Sequence, residues 1–275
     1  MITLNKLLEN YKTFIGENFP NHLNNFIKNE KGNPAGARAQ AVVHSLLQSN
    51  QVNVSIHEDP STGGADLLCE YYYNKFLVEV TSLVSEAVVK KSKIPDRISN
   101  EIKAHAFSQI TTLLHRKASH KANQLVNDTY PTVLAISSEH IANGVLFSNH
   151  SVKEFMTGVS KIRIDSVDNK SKYQDITELQ ASAFLRQDSN GNIEACRKSI
   201  SAILLVQVND DSCKTIGLLH PEPEIEFRYE LLPNIPFLRI RPWPIEENKI
   251  FCEWIIENPG SFNCYYYSFK PNRIL

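Results

Sequence analysis

The chain has 275 residues, 42% hydrophobic and 21% charged, enough apolar content for a substantial core and too much for a chain dominated by disorder. Its 29 Lys and Arg balance 30 Asp and Glu, which excludes a globally basic binder of nucleic acid or membranes and requires any such surface to be local. The five cysteines are odd in number and lack CxxC spacing, against a disulfide framework or a zinc site and in keeping with a reducing cytoplasm. The N-terminus lacks an apolar core of signal-peptide length, and no run approaches the roughly 18 apolar residues that span a bilayer. A cytoplasmic protein with no membrane partner is expected.

In chain order, Leu4, Leu7, Leu8, Tyr11, Phe14 and Ile15, then Leu23, Phe26 and Ile27, recur at helical spacing. They predict two short amphipathic helices split near Pro20, followed by a loop over 29–34. Ala39, Val42, Val43, Leu46 and Leu47 form the apolar stripe of a helix from Ala35 to Ser49, with Gln40 on its margin. Val52 to His57 alternates as a strand.

The stretch Gly63 to Leu83 reads as a β-hairpin whose second arm, from Phe76, is apolar on both faces, as in a strand inside a sheet. Phe76, Val78 and Val80 share one face, and Glu79 lies with Leu77 and Thr81 on the other. A carboxylate there is costly unless paired, hydrogen-bonded or metal-bound. If the connecting loop is Tyr71 to Asn74, Asp66 lies opposite Glu79; if the turn is Asn74 and Lys75, Glu70 takes that place. A purely structural use of these residues would have Asp66 cap the turn after Gly64 and Glu79 pair with a buried Lys or Arg.

A polar segment carrying Lys90, Lys91, Lys93 and Arg97 follows, then a long helix from about Arg97 to Asn127. Lys117, Lys121 and Gln124 share one of its faces. Pro131 to Ser137 reads as a buried strand joined by the helical crossover in parallel, which makes the sheet mixed. Ile141 to Gly158 reads as helical, and Lys161 to Asn192 as a polar, irregular insertion with a turn at Asp188 to Gly191. Ser201 to Val208 is the most strand-like run and pairs with Thr215 to Leu219. Beyond His220 the prolines at 221, 223, 233, 236, 242 and 244 mark short segments covering the sheet. One domain over 1–275 is expected, with N-terminal helices at 1–34, a core at 35–137 and additions at 138–275.

No phosphate-cradling glycine loop, HExxH helix or GxSxG elbow is present. The helix, the hairpin with its two carboxylates and the following helix together resemble the PD-(D/E)XK nuclease superfamily over about residues 35–137. The resemblance implies an α/β fold with a restriction-endonuclease-like αβββαβ core, a mixed sheet flanked by helices, and C-terminal decorations. In that superfamily an Asp opening one strand and a Glu-x-Lys on the next hold Mg²⁺, and an upstream helix often adds a Glu. The resemblance assigns Asp66, Glu79 and the carbonyl of Val80 as ligands of Mg²⁺ (or Mn²⁺). Thr81 stands where the lysine would be and Gln40 where the helical Glu would be. Some members draw the basic group from the next helix, which points to Lys121 with Gln124 as catalytic residues and to Lys117 second.

The implied function is metal-dependent hydrolysis of phosphodiester bonds in nucleic acid, DNA ahead of RNA, of restriction or defence type. Carboxylate oxygens suit a hard divalent ion, and an ammonium stabilises charge developing on phosphorus. Lys90, Lys91, Lys93, Arg97, Arg116, Lys117 and Lys121 would supply a local basic surface that a homodimer would double. The alternative is a nuclease-like module, inactive through Thr81, that binds nucleic acid or protein. A third reading pairs Asp66 and Glu70 as general acid and base without metal.

Overall fold

The computed structural model describes residues 3–58, 64–96, 107–125, 129–140, 149–167, 170–209, 212–245 and 250–255. Three helices open the chain, α1 (Leu4–Asn18), α2 (Pro20–Gly32) and α3 (Pro34–Ser49). Their ends follow local chemistry. Thr3 caps α1 through its side chain, Pro20 and Pro34 occupy first-turn positions where a missing N–H costs nothing, and Asn33 Oδ1 accepts from the Gly36 N–H at 3.1 Å. The loop expected over 29–34 is not formed. Asn33 alone separates the two helices, closing α2 through its N–H on the Asn29 carbonyl (2.7 Å) while capping α3.

A hairpin of β2 (Leu67–Tyr71) and β3 (Asn74–Leu83) follows β1 (Asn53–Ile56). The polar segment after Leu83 begins with a helix: α4 (Ser85–Ser92) buries Val88 and sets Glu86 in its first turn and Lys90 and Lys91 in its last, complementing the helix dipole. The described part of the long helix is α5 (Phe107–Ala122); its expected start at 97–106 lies outside the described residues, and it ends at Ala122, with 123–125 turning away, short of the expected Asn127. Then come β4 (Thr132–Ser138) and α6 (Asn149–Thr157), the expected start of the latter, 141–148, also lying outside.

The stretch expected to be irregular over 161–192 is instead two hairpins. β5 (Val159–Val167) pairs with β6 (Lys170–Glu178), and β7 (Leu185–Gln187) pairs with β8 (Ile193–Ala195) across the expected turn. Both stand outside the main sheet. The strands β9 (Ala202–Val208) and β10 (Cys213–Leu219) pair antiparallel as expected. Beyond His220 short segments cover the sheet as expected, Phe227, Leu231, Leu232 and Ile235 clustering with Phe76, Val78 and Leu204, and the chain also extends it, with β11 (Phe237–Ile240) and β12 (Cys252–Ile255) placed between the prolines and at the edge.

The fold is α/β, with a mixed eight-stranded sheet in the order β1-β2-β3-β4-β9-β10-β11-β12. β2 is antiparallel to both β1 and β3, while β4 is parallel to both β3 and β9. Helices cover both faces. On one, Ala39, Val42, Val43 and Leu47 of α3 cluster with Phe76, Val78 and Val80 of β3 and with Val133 and Leu204. On the other, Leu114, Ala118 and Ala122 of α5 and Phe155 of α6 cluster with Leu77, Leu83, Leu134 and Leu205. The alternation along β3 therefore turns Glu79 and Thr81 towards α5. A smaller cluster joins α1, α2 and α3 through Tyr11, Ile15, Phe26 and Ala41. Among the described residues no helix is long and apolar enough to cross a membrane.

Candidate active site

The hairpin register decides which carboxylates meet. Tyr72 and Tyr73 form its turn, so Tyr71 faces Asn74 and Leu67 faces Val78, and one step further Asp66 comes level with Glu79. The pairing expected for the longer loop is the one formed. Glu70 faces Lys75 near the turn, with Lys75 Nζ 3.9 Å from Glu70 Oε2, at the opposite end of β2 from Asp66. An acid and base pair of Asp66 with Glu70 is therefore not assembled.

Asp66 immediately precedes β2, where β3 continues past the last β2 pairing, Leu67 with Val78. Its Oδ2 accepts from the Val80 N–H at 2.6 Å and its Oδ1 from Gln40 Nε2 at 2.7 Å, so α3 reaches the site over the end of the sheet. Asp66 thus caps a β3 amide left without a β2 partner, not the turn after Gly64. The Leu77 N–H bonds to the Pro131 carbonyl on the β4 side. Alternation then sends the main-chain groups of Val80, carbonyl included, to the same open edge as Asp66.

Glu79 is only 5% exposed, and its Oε1 is paired with Lys121 Nζ. One helical turn earlier, Lys117 Nζ donates to Thr81 Oγ1 at 3.3 Å. The two lysines of α5 therefore meet the two positions of β3 that a Glu-x-Lys motif would occupy. Gln124 does not join them: it is exposed in the turn after α5, with its N–H on the Lys121 carbonyl at 2.9 Å. The glutamine at the carboxylates is Gln40.

Burial, then the charge of Glu79, holds the Asp66 carboxyl well above the usual carboxylate range, with the Val80 N–H opposing. Burial also raises Glu79, against the pull of Lys121. Lys117 is lowered, first by burial and then by the charge of Lys121.

Two contributors escape a reading of the sequence. Glu58, one residue past the partner of Asp66 on the β1 side, sends its N–H to the Asp66 carbonyl (3.4 Å), and its charge raises both carboxyls. Its signal was the antiparallel register of β1 on β2, which sets His57 and Glu58 beside Asp66. Tyr11 of α1 is buried, and the charges of Asp66 and Glu58 push its phenol up further. No sequence motif marks it.

The donor set fits a hard divalent cation through two carboxylates, and the ammonium already resting on Glu79 shows where positive charge is drawn. No third His, Cys, Asp or Glu completes a metal-binding group among the described residues, so main-chain oxygen and water would fill the remaining positions. Exposed Lys90, Lys91 and Lys93 on and just after α4, with Arg116 on α5, lie on the two helices that pack together on this face. No protein family, curated protein or solved structure matches the chain.

Proposed function

We propose that the protein is a Mg²⁺- or Mn²⁺-dependent nuclease that hydrolyses phosphodiester bonds of nucleic acid, DNA ahead of RNA, on a restriction-endonuclease-like core of α3, β1, β2, β3, α5 and β4. The observation that carries the reading is the convergence of Asp66 and Glu79 with two ammonium groups of α5, seated at β3 positions 79 and 81. Asp66, Glu79 and the Val80 carbonyl would hold the ion. When bound, it supplies Lewis acidity towards a phosphodiester and charge neutralisation at phosphorus.

The protein's own residues do the rest. Gln40 and the Val80 N–H orient Asp66, leaving the carboxylate fixed on the open edge of β3. Lys117, delivered to Thr81 from across the sheet face, supplies the ammonium that position 81 lacks. Burial weakens its hold on its proton, so it is suited to interact with a phosphate oxygen and to hand over a proton there. Lys90, Lys91, Lys93 and Arg116 supply the phosphate-binding surface that the near-neutral net charge leaves to local patches.

The test is cleavage of plasmid, linear and single-stranded DNA and of RNA with Mg²⁺ or Mn²⁺, comparing wild type, Glu79→Ala, Lys117→Met and a chelator control. Cleavage by wild type that is lost in the other three supports the reading. The second reading, a non-catalytic binding module, is favoured by Thr81 and by the ion pair that closes Glu79. It predicts no cleavage of any substrate and nucleic-acid binding that survives Glu79→Ala.

A further inference from the structure

The two carboxylates of the site are compensated differently. Asp66 is held by neutral donors, Gln40 and the Val80 N–H, whereas Glu79 has a full cation, Lys121, on its Oε1. Lys121 is less enclosed than its partner, with 24% side-chain exposure against 7% for Glu79, so solvent reaches the pair past the lysine.

We propose that Lys121 is the resident occupant of the cation position: a divalent ion reaches Glu79 only by displacing the Lys121 ammonium, so metal loading and release of that ammonium into the site are one event. This rests on Asp66 and Glu79 being a metal centre. A divalent ion on Glu79 Oε1 would meet the Lys121 ammonium at close range, and their mutual repulsion favours departure of the ammonium. The flexible four-carbon stem of lysine lets the group leave without moving α5. Lys117 already occupies the hydroxyl of Thr81, so the freed Lys121 has no second seat on β3 and turns outward, where a phosphate would arrive.

The arrangement also selects the ion. A monovalent cation replacing Lys121 exchanges one positive charge for another and gains nothing, while a divalent ion brings the additional charge that Asp66 lacks. Lys121 is thereby a specificity-determining residue that sets a threshold against Na⁺ and K⁺.

The experiment measures Mn²⁺ binding to the full chain by the EPR signal of free Mn²⁺, for wild type, Lys121→Met and Lys121→Arg. Lys121→Met is expected to bind Mn²⁺ about tenfold more tightly than wild type, because a competing charge is gone, and Lys121→Arg no more tightly than wild type. Wild type that binds Mn²⁺, with Lys121→Met binding no more tightly, overturns the role of Lys121 and leaves the metal centre standing. No Mn²⁺ binding by any of the three overturns both. Because Lys121→Met leaves the buried Glu79 carboxylate without its ion-pair partner and its folding is at risk, wild type is also probed by reductive methylation and mass spectrometry. Mg²⁺ is expected to increase modification of Lys121 several-fold over K⁺ at equal ionic strength, with Lys75 as the unchanged control; an unchanged Lys121 rate overturns the proposal.

Discussion

Asp66 owes its position to two neutral hydrogen bonds, and the one from Gln40 stands where the resemblance leads one to expect a glutamate. The amide is the residue that lets a buried carboxylate sit beside a second one without a metal: its Nε2 donates to Asp66 Oδ1, which a third carboxylate would repel. Gln40→Glu is therefore expected to destabilise the metal-free protein by about 1–3 kcal/mol, the range for turning a buried hydrogen bond into an unsatisfied contact. It is also expected to enlarge the rise in melting temperature caused by Mn²⁺, since the ion would then neutralise three carboxylates. Thermal unfolding with chelator and with Mn²⁺ checks both, and equal Mn²⁺ responses in wild type and variant would remove Gln40 from the site's electrostatics.

Elements place these residues, and α5 is the one whose position the chemistry needs most. Arg197, in the left-handed region at φ 59°, clamps it from the loop after β8: Nε donates to Ser119 Oγ at 2.9 Å, Nη2 to His115 Nε2 at 2.5 Å, and Nη1 to the carbonyls of Ser182 and Ala183 at 3.2 and 2.8 Å. His115 and Ser119 flank Lys117, so Arg197→Met is expected to cost roughly 2–3 kcal/mol from lost charge-assisted bonds and to weaken Mn²⁺ binding with it. Urea unfolding and the EPR titration read the two effects, and a full loss of stability with unchanged Mn²⁺ affinity would free the site from the clamp. A second element-level constraint is Gly217 in β10, where a Cβ would lie 2.2 Å from the ring of Phe237 on the parallel neighbour β11. Gly217→Ala is expected to destabilise by about 1–3 kcal/mol through overpacking, with part recovered by Phe237→Leu in a double-mutant cycle. Nothing in the sequence marks Arg197 or the Gly217–Phe237 contact, because both join segments distant along the chain. The hairpin, by contrast, was legible to within two registers, since the burial alternation of β3 is local, and the Tyr72–Tyr73 turn selects between them. The β5–β6 hairpin was not, because its strands stand outside the main sheet and so lack the apolar run of a central strand. Helical periodicity put Lys117 and Lys121 on one face, but which β3 side chain each meets depends on how α5 crosses the sheet.

At the scale of the molecule, three histidines among the described residues are held neutral in separate places. His44 packs against the rings of Tyr11 and Phe14 among the N-terminal helices, with a buried Nε2 that has no hydrogen-bond partner among the described residues; His115 meets Arg197 on α5; and His220 follows β10 with Nε2 on the Cys196 carbonyl at 2.9 Å. Burial first, joined by the Arg197 charge at His115 and by Lys198 and Arg197 at His220, lowers all three from the ordinary 6.5 to about 4. The unfolded chain takes up these protons near pH 6.5 and the folded chain only near pH 4, so the stability they contribute is complete above the upper value and is lost as pH falls towards the lower. Near pH 5 the unfolded state binds close to three more protons at these sites, a slope on the order of 3–4 kcal/mol per pH unit. Asp66 and Glu79 act in the opposite sense: their raised carboxyls contribute stability below the ordinary carboxylate range and lose it as pH rises through their folded values, which flattens the net profile. His44→Phe isolates one proton, because it keeps a ring against Tyr11 and Phe14 and removes the titrating group. Its urea-unfolding free energy between pH 6.5 and 4.5 is expected to fall less steeply than that of wild type by on the order of 1 kcal/mol per pH unit. Parallel profiles for the two proteins would mean that His44 binds its proton equally in the folded and unfolded chains, and that the ring cluster of α1, α2 and α3 admits water to Nε2.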